Sequence, residues 1–197
     1  MLARETAENS INKENKSKTY TMTSAALMTA ALCIIAPLSI PVGPVPISLA
    51  TFVIYLSVFI LRTKRALISC ALYIVIGAIG LPVFTGFSGG IGKMMGPTGG
   101  YIIGYLFMIL VSGLLLEILP AKAGGFSKKL VQVLCLAAGT LVLYLFGLLW
   151  FCKVSGMTAG PALALTVYPF IPLDLCKIII AVITGPVIAD RIRYAAE

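Results

Sequence analysis

The sequence predicts an all-α integral membrane protein of six transmembrane helices with both termini cytoplasmic, and three observations predict it. The 197 residues are 59% hydrophobic with a mean hydropathy of +1.04, and only 11% are charged, which is too apolar for a water-soluble domain of this size. Charges gather in short clusters and leave long uncharged runs at Thr19–Leu61, Ala66–Gly92, Met94–Leu116, Leu130–Cys152 and Val154–Leu173, where a spanning helix needs roughly 20 apolar residues. Finally, the 15 basic residues segregate.

Breakers and charges divide the chain into helices at about 19–38, 47–61, 65–81, 98–119, 130–152 and 172–189. Arg4, Lys13, Lys16 and Lys18 precede the first; Arg62, Lys64 and Arg65 follow the second; Lys122, Lys128 and Lys129 follow the fourth; Arg191 and Arg193 follow the sixth. Only Lys93 and Lys153 fall on the other side, and Lys177 lies inside the sixth helix. Cytoplasmic loops collect Lys and Arg, so both ends are expected in the cytoplasm. Residues 1–18, polar and of mixed charge, read as a flexible cytoplasmic tail rather than a signal peptide; residues 19–193 form the membrane domain.

Each outer connection is rich in breakers. Ile40-Pro-Val-Gly-Pro-Val-Pro-Ile47 is expected to be stiff and extended. The stretch from Gly86 to Gly100 holds seven glycines in fifteen residues, so it either folds tightly, approaches a ligand, or is a plain mobile loop. Pro161, Pro169 and Pro172 are expected to keep residues 161–171 out of regular helix until Pro172 opens the last one.

Several function classes fall away. The net charge of +8 does not indicate a nucleic-acid binder, because the basic residues form no stripe with interleaved aromatics. No histidine is present, which removes H-E-x-x-H metalloprotease and Ser/His/Asp chemistry. The segment before Lys93 is not a P-loop, since Phe87 and Met94 stand where that motif requires Gly and Ser or Thr. Cysteines 33, 70, 135, 152 and 176 sit in apolar stretches without a C-x-x-C pair and read as small core residues. Nothing calls for a cofactor, a metal or an enzymatic role.

What remains is Asp174 with Lys177 in Pro172-Leu-Asp-Leu-Cys-Lys177. The i, i+3 spacing puts both on one helix face, and ionisable residues inside a span mark a polar cavity. Asp174 also falls in the first turn, where the helix dipole favours a carboxylate. An ion pair that merely fixes the helix is the competing reading. On the first helix, Ala26 and Ala30 form a small-x-x-x-small pair that lets another backbone approach, either within the chain or from a partner. Gly96, Gly100 and Gly104 repeat the spacing and are expected to pack within the chain. Glu117 is expected to pair with a nearby lysine.

Taken together, Gly43-Pro-Val-Pro-Ile-Ser-Leu49, Gly80-Leu-Pro-Val-Phe84, Gly96-Pro-Thr-Gly-Gly-Tyr101 and Pro172-Leu-Asp-Leu-Cys-Lys177 resemble the BioY family, the biotin-specific S components of energy-coupling-factor (ECF) transporters. The resemblance runs in matching order from about residue 20 to 193. It implies a multi-pass protein of the bacterial plasma membrane that captures biotin from outside and delivers it with a T subunit and two ATPase subunits. It also implies that Asp174 and Lys177 line the biotin site and that Ala26 and Ala30 face the T subunit. Asp174 suits ureido N–H groups, and Lys177 suits the ureido oxygen or the carboxylate. Tyr101, Thr51, Ser48 and Phe84 lie in or beside the matched motifs and are candidate walls. The sequence departs from the family at Ala50, where members commonly have Gln, and at Leu173, where they have Gly. An S component for a different vitamin, a channel and a structural membrane subunit are the other readings.

Overall fold

The computed structural model describes residues 19, 22–41, 44–119 and 125–194. The tail 1–18 and Lys122, both used in the sequence reading, lie outside them. The elements are α1 (Met22–Ile35), β1 (Ser39–Ile40), β2 (Ile47–Ser48), α2 (Ala50–Ile79), α3 (Ile91–Met95), α4 (Gly99–Ile118), α5 (Phe126–Ser155), α6 (Ala159–Thr166) and α7 (Ile171–Tyr194). Helices α4, α5 and α7 are long and apolar enough to cross a membrane.

Helix α2 is two helices joined at a break. Arg62 sits at φ 64°, ψ 171°, a conformation that a side chain with a Cβ rarely adopts, in the middle of the cationic cluster that the sequence reading placed between two helices. Thr51 in the first arm and Tyr73 in the second line one cavity. In a straight helix they would be roughly 33 Å apart, so the chain reverses at Arg62. The second arm starts with unpaired N–H groups, and Glu117 from the end of α4 serves them. Its Oε1 accepts from the Thr63 amide at 3.4 Å and the Thr63 hydroxyl at 3.0 Å, and lies 3.7 Å from Arg62 Nε. Among the described residues, the partner of Glu117 is therefore this helix start with Arg62, not a lysine.

The connections expected on the outer side are more regular than their breakers suggest. Residues 39–40 and 47–48 are extended, as expected, because they pair as a short antiparallel ladder. The glycine-rich stretch folds tightly: it carries α3, a bridge between Phe84 and Ser88, and a bond from the Gly86 amide to the Pro37 carbonyl at 3.0 Å. Residues 161–166, expected outside helix, belong to α6. Pro161 is in the first turn of that helix, where its missing N–H has no partner to lose. Helix α7 likewise starts at Ile171, with Pro172 in its first turn and Leu173 following without disturbance.

Helix α4 packs along α5, and both arms of α2 complete the core with α7. The α4–α5 seam is close because it is built on glycine: a Cβ at Gly100 would land on the Trp150 side chain, and one at Gly147 on the Tyr101 ring. The small residues of α4 thus serve packing within the chain. The buried face of α5 carries Leu136, Leu143, Tyr144 and Phe151, whereas Leu134, Leu141, Leu145 and Leu149 stand exposed at helical spacing, Leu141 by 67%. An outward apolar face of this kind belongs in lipid rather than water.

Candidate functional site

The last helix and the start of α2 build one polar cluster in an apolar setting. Asp174 sits in the first turn of α7, its amide bonded to the Phe170 carbonyl at 2.8 Å, and only 3% exposed. Lys177, one turn later and 9% exposed, reaches back to Asp174 Oδ1 at 2.9 Å. A buried charge pair is costly unless its members are also hydrogen-bonded, and the corner between β2 and α2 completes that requirement. Lys177 Nζ donates to the Ser48 carbonyl at 2.8 Å and to Thr51 Oγ1 at 3.1 Å. Thr51 in turn donates to Asp174 Oδ1 at 3.1 Å. All three ammonium hydrogens therefore have acceptors.

The corner itself is pinned by the Ser48 side chain. Its hydroxyl donates to the Ala36 carbonyl at 2.8 Å and accepts from the Ala50 amide at 3.0 Å, tying the start of α2 to the end of α1. Ala50 is fully buried there, so its contribution is packing and a backbone donor. Asp174 Oδ2 has a separate partner, the Tyr144 hydroxyl of α5, which donates to it at 2.7 Å. These residues share one cavity with Tyr101, Tyr105, Tyr73, Thr98 and Phe170. The cavity volume is about 30 Å³, room for one or two waters.

Of the six sequence candidates for ligand contact, five meet here: Asp174, Lys177, Thr51, Ser48 and Tyr101. The Tyr101 hydroxyl is committed to the Thr166 carbonyl at 2.7 Å, and its ring stacks on Phe170. Phe84 lies behind the wall rather than in it, edge-on to Tyr73 with ring centroids 5.6 Å apart; its neighbour Thr85 reaches the cavity instead. On α1, Ala25, Thr29 and Leu32 face inward, with the Thr29 hydroxyl 3.1 Å from Ser69 Oγ, while Ala26 and Ala30 are exposed.

The sequence matches the model of the BioY family over residues 9–194. The chain belongs to the BioY family. A probable biotin transporter BioY of Pyrococcus horikoshii is 38% identical over 168 residues, covering 85% of this chain and 93% of that protein. The biotin transporter BioY of Thermotoga maritima is 35% identical over 157 residues, 80% of this chain and 88% of the relative. Among solved structures, the crystal structure of the S component for biotin from an ECF-type ABC transporter superposes with a TM-score of 0.80 at 32% identity, covering 91% of this chain and 94% of that one. These are transporter components, not enzymes. The BioY resemblance found in four short motifs thus extends over most of the chain.

Sequence reasoning missed Tyr144, Thr98, Tyr73 and Tyr105. Tyr144 lies in an uncharged run with no motif around it, and its partner is 30 residues away in sequence. A signal did exist for Tyr105: with Tyr101 it forms an i, i+4 pair that places two hydroxyl-bearing rings on one face of α4.

Proposed function

We propose that this BioY protein is the substrate-binding S component of an ECF-type transporter, taking biotin from outside and delivering it with a T subunit and two ATPase subunits across a bacterial plasma membrane. The observation that carries the reading is the Asp174–Lys177–Thr51–Tyr144 network, a buried charge pair at a cavity rather than at a protein surface. Biotin offers an apolar thioether bicycle, a ureido group and a carboxylate, and the cavity offers aromatic walls with a few placed polar atoms. Asp174 Oδ2 is held by one donor and keeps acceptor capacity for a ureido N–H. Lys177, its donors already used, fixes the carboxylate and Thr51 in position and meets the ligand only by exchanging one of its protein acceptors. The cavity is smaller than the ligand, so entry requires the walls to part.

Six spans with cytoplasmic termini fit this reading. The break at Arg62 separates α2 into two arms and leaves Arg62, Lys64 and Arg65 at the turn, away from the cavity. The exposed Ala26 and Ala30 fit a close approach by the T subunit.

Purification from biotin-containing medium followed by native mass spectrometry tests the substrate, with isothermal titration against biotin and other vitamins. Retained biotin is the expected result. A different vitamin in the complex, with no heat on adding biotin, would overturn it.

A further inference from the structure

The cavity has two unlike walls. On the side of α7, α5 and the start of α2, every polar atom of the charge pair is engaged. On the side of α4 and the second arm of α2, three hydroxyls are not. Thr98 is 6% exposed and lines the cavity, yet its Oγ1 has no hydrogen-bond partner among the described residues. Tyr73, 1% exposed, and Tyr105, 6% exposed, also line it, and neither hydroxyl bonds to a described residue.

Thr98 shows why. It is the N-cap of α4, the position where a threonine hydroxyl ordinarily accepts from an amide one turn on. That service requires extended backbone, and Thr98 is at φ −90°, ψ −7°, with no capping bond. Its helical backbone leaves the hydroxyl unspent at a helix start, which itself favours a negatively charged or electron-rich group. Tyr101, between Thr98 and Tyr105 on the same helix, illustrates the ordinary outcome, since its hydroxyl is spent on Thr166. Buried hydroxyls are nearly always paired, so the orphaned Thr98 hydroxyl, with Tyr73 and Tyr105 lining the same cavity, constitutes donor capacity waiting for an external acceptor.

We infer that Thr98, Tyr105 and Tyr73 form a second polar subsite that donates to an oxygen acceptor of the ligand, opposite the acceptor presented by Asp174. This rests on the biotin reading above. Biotin carries two such acceptors, the ureido carbonyl and the carboxylate, and both are met by the same hydroxyl chemistry. The subsite also accounts for the two-sidedness of the cavity: one wall selects a ligand N–H, the other a ligand oxygen.

Thr98→Val and Tyr105→Phe remove the hydroxyls while keeping shape. Each is expected to weaken biotin binding by about 3- to 10-fold, the worth of one hydrogen bond, without lowering the ligand-free melting temperature, because neither hydroxyl holds anything in the free protein. Titration with a biotin analogue whose tail ends in a methyl group, with no acceptor there, separates the two acceptors. A Thr98→Val loss that disappears with this analogue assigns the hydroxyl to the carboxylate, and one that persists assigns it to the ureido carbonyl. Unchanged affinity in both folded variants would overturn the subsite, as would a fall in melting temperature with normal binding. If Asp174→Asn abolishes binding while these two variants bind normally, the subsite alone fails; if the unaltered protein binds no biotin, the biotin reading fails and the subsite fails with it.

Discussion

Asp174→Asn and Lys177→Met test the charge pair most directly, because the structure dictates different damage for each. Asparagine keeps the shape but loses the charge, and its amide nitrogen cannot accept from either a ligand N–H or the hydroxyl of Tyr144, now 2.7 Å from Oδ2. With the amide oxygen at the Oδ1 position, the Lys177 ammonium keeps three acceptors, but all are neutral: that oxygen, the Ser48 carbonyl and Thr51. Methionine at 177 removes three donors at once and leaves the carboxylate with the hydroxyls of Thr51 and Tyr144. Stranding one member of a desolvated pair costs about 3–5 kcal/mol in general. The portion expressed as lost biotin affinity is expected to be about 2–4 kcal/mol for each variant, roughly 30- to 1,000-fold in Kd. The double variant should cost less than the sum by about 1–3 kcal/mol, since the second change no longer strands a charge. Isothermal titration on detergent-purified protein, with melting curves taken without ligand, reads both quantities. Unchanged affinity in the two folded single variants, whatever their melting temperatures, would remove the pair from the binding site and leave it a structural clamp.

Three further outcomes are expected. Glu117→Ala uncaps the second arm of α2 and should lower stability by about 1–2 kcal/mol with little change in biotin affinity, since Glu117 is not in the cavity wall; thermal melting and titration check it. Ala26→Trp or Ala30→Trp should leave binding intact but reduce co-purification of the T subunit, because both positions are exposed on α1 and a ring there blocks close backbone approach. In a background without the native cysteines, a cysteine at position 91 should be labelled from outside intact cells and one at position 126 should not; the reverse pattern would invert the topology.

Much of this molecule was legible because lipid simplifies the code. Charges are excluded from spans, so Arg62, Lys64 and Arg65 marked the turn inside α2, and Asp174 with Lys177 stood out as costly exceptions. Thr51 and Ser48 came only through the family motifs, since hydroxyls are common in apolar helices and their spacing carried no signal. Prolines misled at 161–166, because a proline in a first helical turn looks the same in sequence as one that prevents a helix. Glu117 misled as well: proximity of lysines in sequence pointed to a salt bridge, whereas a helix start brought near by the reversal of α2 offered better donors. Tyr144, Thr98 and Tyr73 were invisible, since what distinguishes them is the absence or presence of a partner far along the chain, whereas Tyr105 carried the i, i+4 spacing from Tyr101.

The reversal at Arg62 also fixes how the two arms of α2 are phased against each other. Thr51 comes from one arm and Tyr73 from the other, and a single residue forms the joint. Inserting one residue there would rotate the second arm by about 100° and swing Tyr73 out of the cavity while leaving Thr51 beside Asp174. The joint therefore has no slack to absorb a change in chain length. A one-residue insertion at the end of the helical hairpin farthest from the ligand would be felt at the ligand, as a loss of one wall and not of the other.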